Sequence, residues 1–266
     1  MKLAISNIAW PDQDTLEILE MVKKMGCQGI EVALSRIWPE PAEADKRRRL
    51  AYLDMIEDCG LSVVSVHSLL YAKSRLGLFK DAVVERETIE YIKKLILLAS
   101  DLKAGVLVFG SPNSRKRGDI PLDEAFSRAA DFFAPIAKFA AEQGRVVVIE
   151  PLSREETDFI NSSTEGIRLV KMVNSPGLQL HLDAKAIIAQ GNDIGSILAE
   201  AMPYFKHFHI NDPGLAEVGS IADYHQTLGA ALKKSGYQGF VSIEMREFPD
   251  YKAVINRSIE VAKRYY

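Results

Sequence analysis

Two hydrophobic patterns take turns along this chain from one end to the other. Eight short apolar, β-branched runs, at residues 2–6, 29–34, 61–67, 105–110, 145–150, 178–183, 205–209 and 239–244, have the length and composition of buried strands. Between and after them, apolar residues recur every three or four positions at about 14–25, 43–59, 83–102, 122–143, 164–173, 193–202, 224–235 and 250–264, which predicts eight helices. Asp12, Asp123, Thr164 and Asp193 stand where helix caps are expected. Alternating strands and helices imply an α/β protein with a parallel sheet and right-handed crossovers. Eight such units in roughly 250 residues is the arithmetic of a single (β/α)8 barrel. A doubly wound open sheet is the alternative. Against it, the first strand–helix turn, Ser6-Asn7-Ile8-Ala9-Trp10-Pro11, lacks the G-x-G-x-x-G phosphate loop of the common open-sheet nucleotide binders.

An internal echo supports the barrel. Lys23-Lys24-Met25-Gly26-Cys27-Gln28-Gly29-Ile30-Glu31 reads like Lys233-Lys234-Ser235-Gly236-Tyr237-Gln238-Gly239-Phe240-Val241, each a helix end passing through glycine into a strand. Such turns lie at the amino ends of the strands, so Cys27 and Cys59 are expected to pack rather than react. No Pro- or Ser-rich linker divides the chain, and residues 1–266 are expected to form one domain.

Composition narrows the function classes. With 33 Lys and Arg against 36 Asp and Glu the net charge is −3, and 47% of residues are hydrophobic, which excludes disordered and collagen-like chains. A slightly acidic balance gives no footprint for general nucleic-acid binding. Two cysteines outside any C-x-x-C pair suit a reducing compartment. Neither a signal peptide nor a run of the roughly 18 apolar residues a membrane helix needs is apparent, so a cytoplasmic protein without a membrane partner is expected.

The carboxyl ends of barrel strands carry the chemistry. Four of them end in residues of metal-ligand type: Glu150, Asp183, His209 and Glu244. Any one of the acids alone would be read as a cap, an ion-pair partner or an exposed side chain. Together, three carboxylates and an imidazole suit a divalent cation such as Mn²⁺, Mg²⁺ or Co²⁺, with Zn²⁺ as a further option. By strand alternation His181 and His207 point inward one layer below.

At this point a resemblance becomes specific. Residues 150–161, Glu-Pro-Leu-Ser-Arg-Glu-Glu-Thr-Asp-Phe-Ile-Asn, resemble the E-x-L-N-R-x-E-T-x-F-x-N stretch of the xylose isomerase-like superfamily, in its ketose 3-epimerase and sugar phosphate isomerase/epimerase branch. His207-Phe208-His209-Ile210-Asn211-Asp212 is similar to that family's H-x-H-x-x-D, and Ser242-Ile243-Glu244 to its closing strand. The resemblance implies a TIM-barrel enzyme holding a divalent cation, Mn²⁺ first among those named, on Glu150, Asp183, His209 and Glu244. It also implies Glu150 and Glu244 as the acid–base pair, Glu156 and Asp212 at the substrate, a small carbohydrate-like substrate, and a dimer or tetramer. The expected reaction is isomerisation or epimerisation of a sugar, sugar acid or cyclitol, by proton removal beside a polarised carbonyl through an enediolate. Alternatives are a dehydratase of a keto-cyclitol or sugar, and a non-catalytic sugar-binding subunit. DNA repair, also found in this superfamily, is opposed by five histidines and the charge of −3.

Two departures stand out. The family's D-x-x-H reads Asp183-Ala184-Lys185-Ala186 here, and an arginine often found after H-x-x-[DE] is absent from Asp212-Pro213-Gly214-Leu215-Ala216-Glu217. His67 at the end of the third run and Trp10 after the first are further substrate-contact expectations, with Glu31 a weaker one. Ser114-Arg115-Lys116-Arg117-Gly118 after the fourth run reads as a solvated charge run, with a mobile loop able to meet an anionic substrate as the alternative.

Overall fold

The computed structural model describes residues 1–191, 193–220 and 224–266. Eight parallel strands close in sequence order, each pairing with the next and the last with the first. They are β1 (Lys2–Ser6), β2 (Gly29–Ala33), β3 (Ser62–His67), β4 (Val106–Phe109), β5 (Val146–Ile149), β6 (Leu178–Asp183), β7 (Phe205–Ile210) and β8 (Phe240–Ile243). Around them run α1 (Thr15–Lys24), α2 (Leu34–Ile37), α3 (Lys46–Asp58), α4 (Ala82–Asp101), α5 (Leu122–Glu142), α6 (Ser163–Val173), α7 (Ala184–Ala189), α8 (Ile194–Ala201), α9 (Tyr224–Lys234) and α10 (Tyr251–Tyr265). The architecture is a (β/α)8 barrel, and the eight runs read from the sequence are its strands.

Two helices were not read from the periodicity. The turns α2 and α7 follow β2 and β6 without a break, and at four and six residues they are too short to show a period of their own. Cap placement also moves. Asp193 accepts from the Ser196 amide as expected, but α6 is capped by Ser162 rather than Thr164, and α1 and α5 start without a side-chain cap from Asp12 or Asp123.

The chain builds two buried compartments. Between sheet and helices the filling is apolar, with Ile18, Leu19 and Val22 of α1, Leu95 and Ile96 of α4, and Phe126, Phe133 and Ile136 of α5 turned inward. The barrel interior is polar toward the carboxyl ends, where Ser6, Glu31, Ser65, His67, His181, His207, His209 and Ser242 are all buried.

At the amino ends, Gly26 and Gly236 take left-handed backbone, φ +97° and +81°, as the repeated junction anticipates. Cys27 is buried beside one of these turns and Cys59 is half-buried. Burial pushes the Cys27 thiol up to about 12, with Lys263 opposing it weakly, so it stays a packing residue. Among the described residues, no helix is long and apolar enough to cross a membrane.

Candidate active site

The site rests on a buried carboxylate. Glu31, in the middle of β2, accepts hydrogen bonds from Ser65 Oγ at 2.9 Å on one oxygen and Ser242 Oγ at 2.9 Å on the other. His207 Nε2 lies 3.2 Å from the first oxygen and His209 Nε2 2.9 Å from the second. Burial alone would raise the Glu31 pKa, but His209, His67 and His207 outweigh it and hold the carboxyl well below the usual range. Glu31 is fully buried, is not part of the cavity lining, and braces the histidines around it.

One layer higher, strand ends converge. Glu150 follows β5, Asp183 ends β6 opposite His209 of β7, and Glu244 follows β8. His209 Nδ1 lies 3.3 Å from Glu244 Oε2 and 3.7 Å from Glu150 Oε1. Asn211, which sequence reasoning did not single out, donates its amide to Asp183 Oδ2 at 2.5 Å and to Glu244 Oε2 at 3.0 Å. Gly110 at the end of β4 leaves room for Glu150, since a Cβ there would collide with Glu150 Oε2.

These groups suit a cation. Glu150, His181, Asp183 and His209 each offer a ligand atom, all within 4.8 Å of one another. Among the described residues neither ring nitrogen of the fully buried His181 has a hydrogen-bond partner, an expense that a ligand would remove. The expected set contained Glu244 where this group contains His181. Glu244 flanks it, held beside His209 and by Asn211. Burial raises the Asp183 pKa, with Glu150 and Glu244 adding to the rise and Lys185 opposing it. For Glu244 burial is overcome by His209, His67 and Lys185, and its pKa falls. Burial would lower the His209 imidazole, yet Glu31, Glu244 and Glu150 hold it well above the usual histidine range. A positive charge is therefore favoured at this point, whether carried by a proton or by a cation.

A cavity of about 440 Å³ opens above, lined by His67, Glu150, Glu156, Lys185, His209 and Glu244 with Leu70, Tyr71, Leu152 and Leu215. His67 is fixed by Ser6 Oγ at 2.7 Å from Nε2, and its Nδ1 lies 3.7 Å from Glu244 Oε1. Glu156 receives the Ser153 amide at 3.1 Å and hydroxyl at 3.0 Å on one oxygen, leaving the other toward Lys185 Nζ at 3.4 Å.

Trp10, Asp212 and the basic loop each find partners within the protein. Trp10 does not reach the cavity: it is buried in the core and donates its indole N–H to Thr15 Oγ1 at 3.2 Å. Asp212 is buried and does not line the cavity, accepting from the Gly219 and Ser220 amides and the Tyr224 hydroxyl and lying 3.0 Å from His225 Nε2. It anchors the loop after β7 to α9. The basic loop starts at the cavity, which Ser114 lines, and is tied down at its far end, where Asp158 accepts the Arg117 and Gly118 amides at 2.8 and 2.9 Å. Arg115 turns inward, donating to the Glu150 carbonyl at 2.6 Å, and burial lowers its guanidinium to about 10.

Residues 19–265 match the family model described as xylose isomerase-like TIM barrel, and the chain belongs to that family. Among characterised relatives, it is 29% identical to the D-psicose 3-epimerase of Agrobacterium fabrum over 126 residues, 47% of this chain and 44% of that protein. The matched part thus spans under half of that relative's length. It is 23% identical to the 3-dehydro-D-guloside 4-epimerase of Escherichia coli over 92% of each chain. Among solved structures, a D-psicose 3-epimerase crystallised in the presence of D-fructose superposes with a TM-score of 0.83 at 18% identity, covering 100% of this chain and 99% of the other, a likeness of fold.

Proposed function

We propose that this protein is a divalent-cation-dependent epimerase or isomerase of a ketose or a related keto-sugar. The observation that carries the reading is that two carboxylates, Glu150 and Glu244, reach the same buried imidazole from different strands at the floor of one cavity. Glu150, Asp183 and His209, with His181 or Glu244, are the residues that would hold the cation. Mn²⁺ suits this mixed carboxylate and imidazole set, as do Mg²⁺, Co²⁺ and Zn²⁺. When bound, it supplies Lewis-acid polarisation of the substrate carbonyl and so acidifies the adjacent C–H.

The residues of the chain do the rest. One glutamate removes the proton from the carbon beside the carbonyl, leaving an enediolate. The other returns a proton to the opposite face of that carbon, inverting it, or to the neighbouring carbon, isomerising the sugar. His67, hydrogen-bonded to Ser6, and Glu156, fixed by Ser153, orient the substrate oxygens. The epimerase names of the Agrobacterium and E. coli relatives support this class of reaction. Both glutamates lining one cavity also speak against a purely sugar-binding role.

Solvent exchange tests the proposal. Supplied with Mn²⁺ or Co²⁺ in D₂O, the protein is expected to place deuterium next to the carbonyl of at least one member of a panel of ketoses, keto-glycosides and inososes. Glu150→Gln and Glu244→Gln are expected to lose the exchange by about 10²–10⁴-fold. Neither exchange nor metal uptake across the panel would sink the reading, and loss of water from the substrate in place of exchange would turn it toward a dehydratase.

A further inference from the structure

Resting on the reading above, we propose that Lys185 is a specificity-determining substrate contact, forming with Glu156 a donor–acceptor pair in the cavity wall that reads one hydroxyl of the substrate. Where the family carries a histidine this chain has Ala186, which lines no part of the cavity, and the position near the family's arginine is occupied by apolar Leu215. The lining therefore lacks both usual donors on this side. Among the described residues, Lys185 is the one lysine or arginine that lines the cavity.

The backbone around it is held firmly. Asp183 Oδ1 accepts the Ala186 amide at 2.9 Å, and Asn211 Oδ1 accepts the Lys185 amide at 3.1 Å. This fixes the first turn of α7 and sends the lysine stem toward the cavity. At its end Nζ meets Glu156 Oε1 at 3.4 Å, and Ser153 immobilises the other Glu156 oxygen. An ammonium has three N–H donors, and among the described residues this is the one hydrogen bond Nζ makes. The side chain remains 20% exposed, on the cavity side. A hydroxyl placed against the pair can accept from Nζ and donate to Oε1 at once, and a site built this way discriminates strongly against an analogue lacking that hydroxyl.

The test compares the wild type with Lys185→Met, which keeps the stem and removes the donors, on the ketose that exchanges best and on its monodeoxy analogues. We expect kcat/KM for the parent ketose to fall about tenfold or more in Lys185→Met. One deoxy analogue should lose a similar factor with the wild type and nothing further with the variant, which identifies the hydroxyl that is read. Cobalt uptake and its visible spectrum should be unchanged. Equal discrimination by both proteins against every deoxy analogue would overturn the proposal, as would an altered cobalt spectrum, because the lysine would then act through Asp183. If Lys185→Met does not fold, Lys185→Gln answers the same question. If the wild type exchanges nothing, the parent reaction fails on its own account, and thermal shift with the same sugars, wild type against variant, still decides the contact.

Discussion

The two ends of the barrel use left-handed backbone in different ways. At the amino ends, where helices hand over to strands, the repeated junctions employ glycine, as at Gly26 and Gly236, and the conformation costs little. Among the described residues eight non-glycine residues also have positive φ; two of them, Lys103 and Asn174, lie at the amino ends, and six, Ser68, Ala72, Phe79, Ser111, Ile160 and Leu215, lie on loops leaving the carboxyl ends. Four of the six, Ser68, Ala72, Ser111 and Leu215, line the cavity. Each such residue costs about 1–3 kcal/mol. Backbone hydrogen bonds from other segments hold two of them: the Leu215 carbonyl accepts the Arg246 amide at 2.9 Å, and that of Ile160 accepts the Leu152 amide at 3.1 Å. Left-handed glycine turns occur at both ends, but the carboxyl end carries most of the strained non-glycine backbone, and it is there that the cavity lies.

This contrast can be broken at either end. The largest effect is expected from Gly110→Ala, whose new methyl would displace the Glu150 carboxylate. Exchange activity should fall about 100-fold while thermal stability moves little, because the colliding atom is the tip of a flexible side chain. Unchanged activity would show that Glu150 tolerates displacement and is not the base. Next, Glu31→Gln removes the charge that braces His209, and titration against a competing chelator should show cation affinity weakened about 10–100-fold.

At the other end, Gly236→Ala forces a Cβ into left-handed backbone. Denaturant melts should show a loss of about 1–2 kcal/mol, with kcat and KM unaltered. An activity change there would mean that the two ends are coupled. The smallest effect concerns Asp212. Burial raises its pKa, but the His225 and Tyr224 hydrogen bonds outweigh this and bring it below the ordinary carboxylate value. A folded-state pKa below the unfolded one, about 3.9, stabilises the protein above that value and is lost as pH falls through the folded pKa. The melting difference between wild type and Asp212→Asn should therefore be constant near neutrality and shrink below about pH 4. A difference independent of pH would mean that shape rather than charge anchors the loop.

How much could be read beforehand depended on how local each signal was. Strands and long helices show in the period of neighbouring residues, whereas α2 and α7 have too few residues to show one. Trp10 resembles a sugar platform in sequence, yet its indole finds Thr15 in the core. Asp212 looks like a site acid because its partners Tyr224 and His225 belong to another helix. Arg115 reads as one charge in a solvated run, and only the fold turns it beneath Glu150. Lys185 was visible as a residue but not as a contact, since its direction follows from the turn that Asp183 and Asn211 clamp.

Alternation with a period of two, strand ends and helix–glycine junctions are properties of adjacent residues. By itself, therefore, the sequence determined the order of eight β/α units and which side chains stand at the carboxyl ends. Which of them meet was decided only by closure of the barrel. Closure brings β8 back to β1, sets Glu244 and Glu150 about one imidazole, inserts Asn211 between Asp183 and Glu244, and leaves Lys185 facing Glu156. These are competitions among groups distant in the chain for the same buried charge and hydrogen bonds, and no local pattern records their outcome.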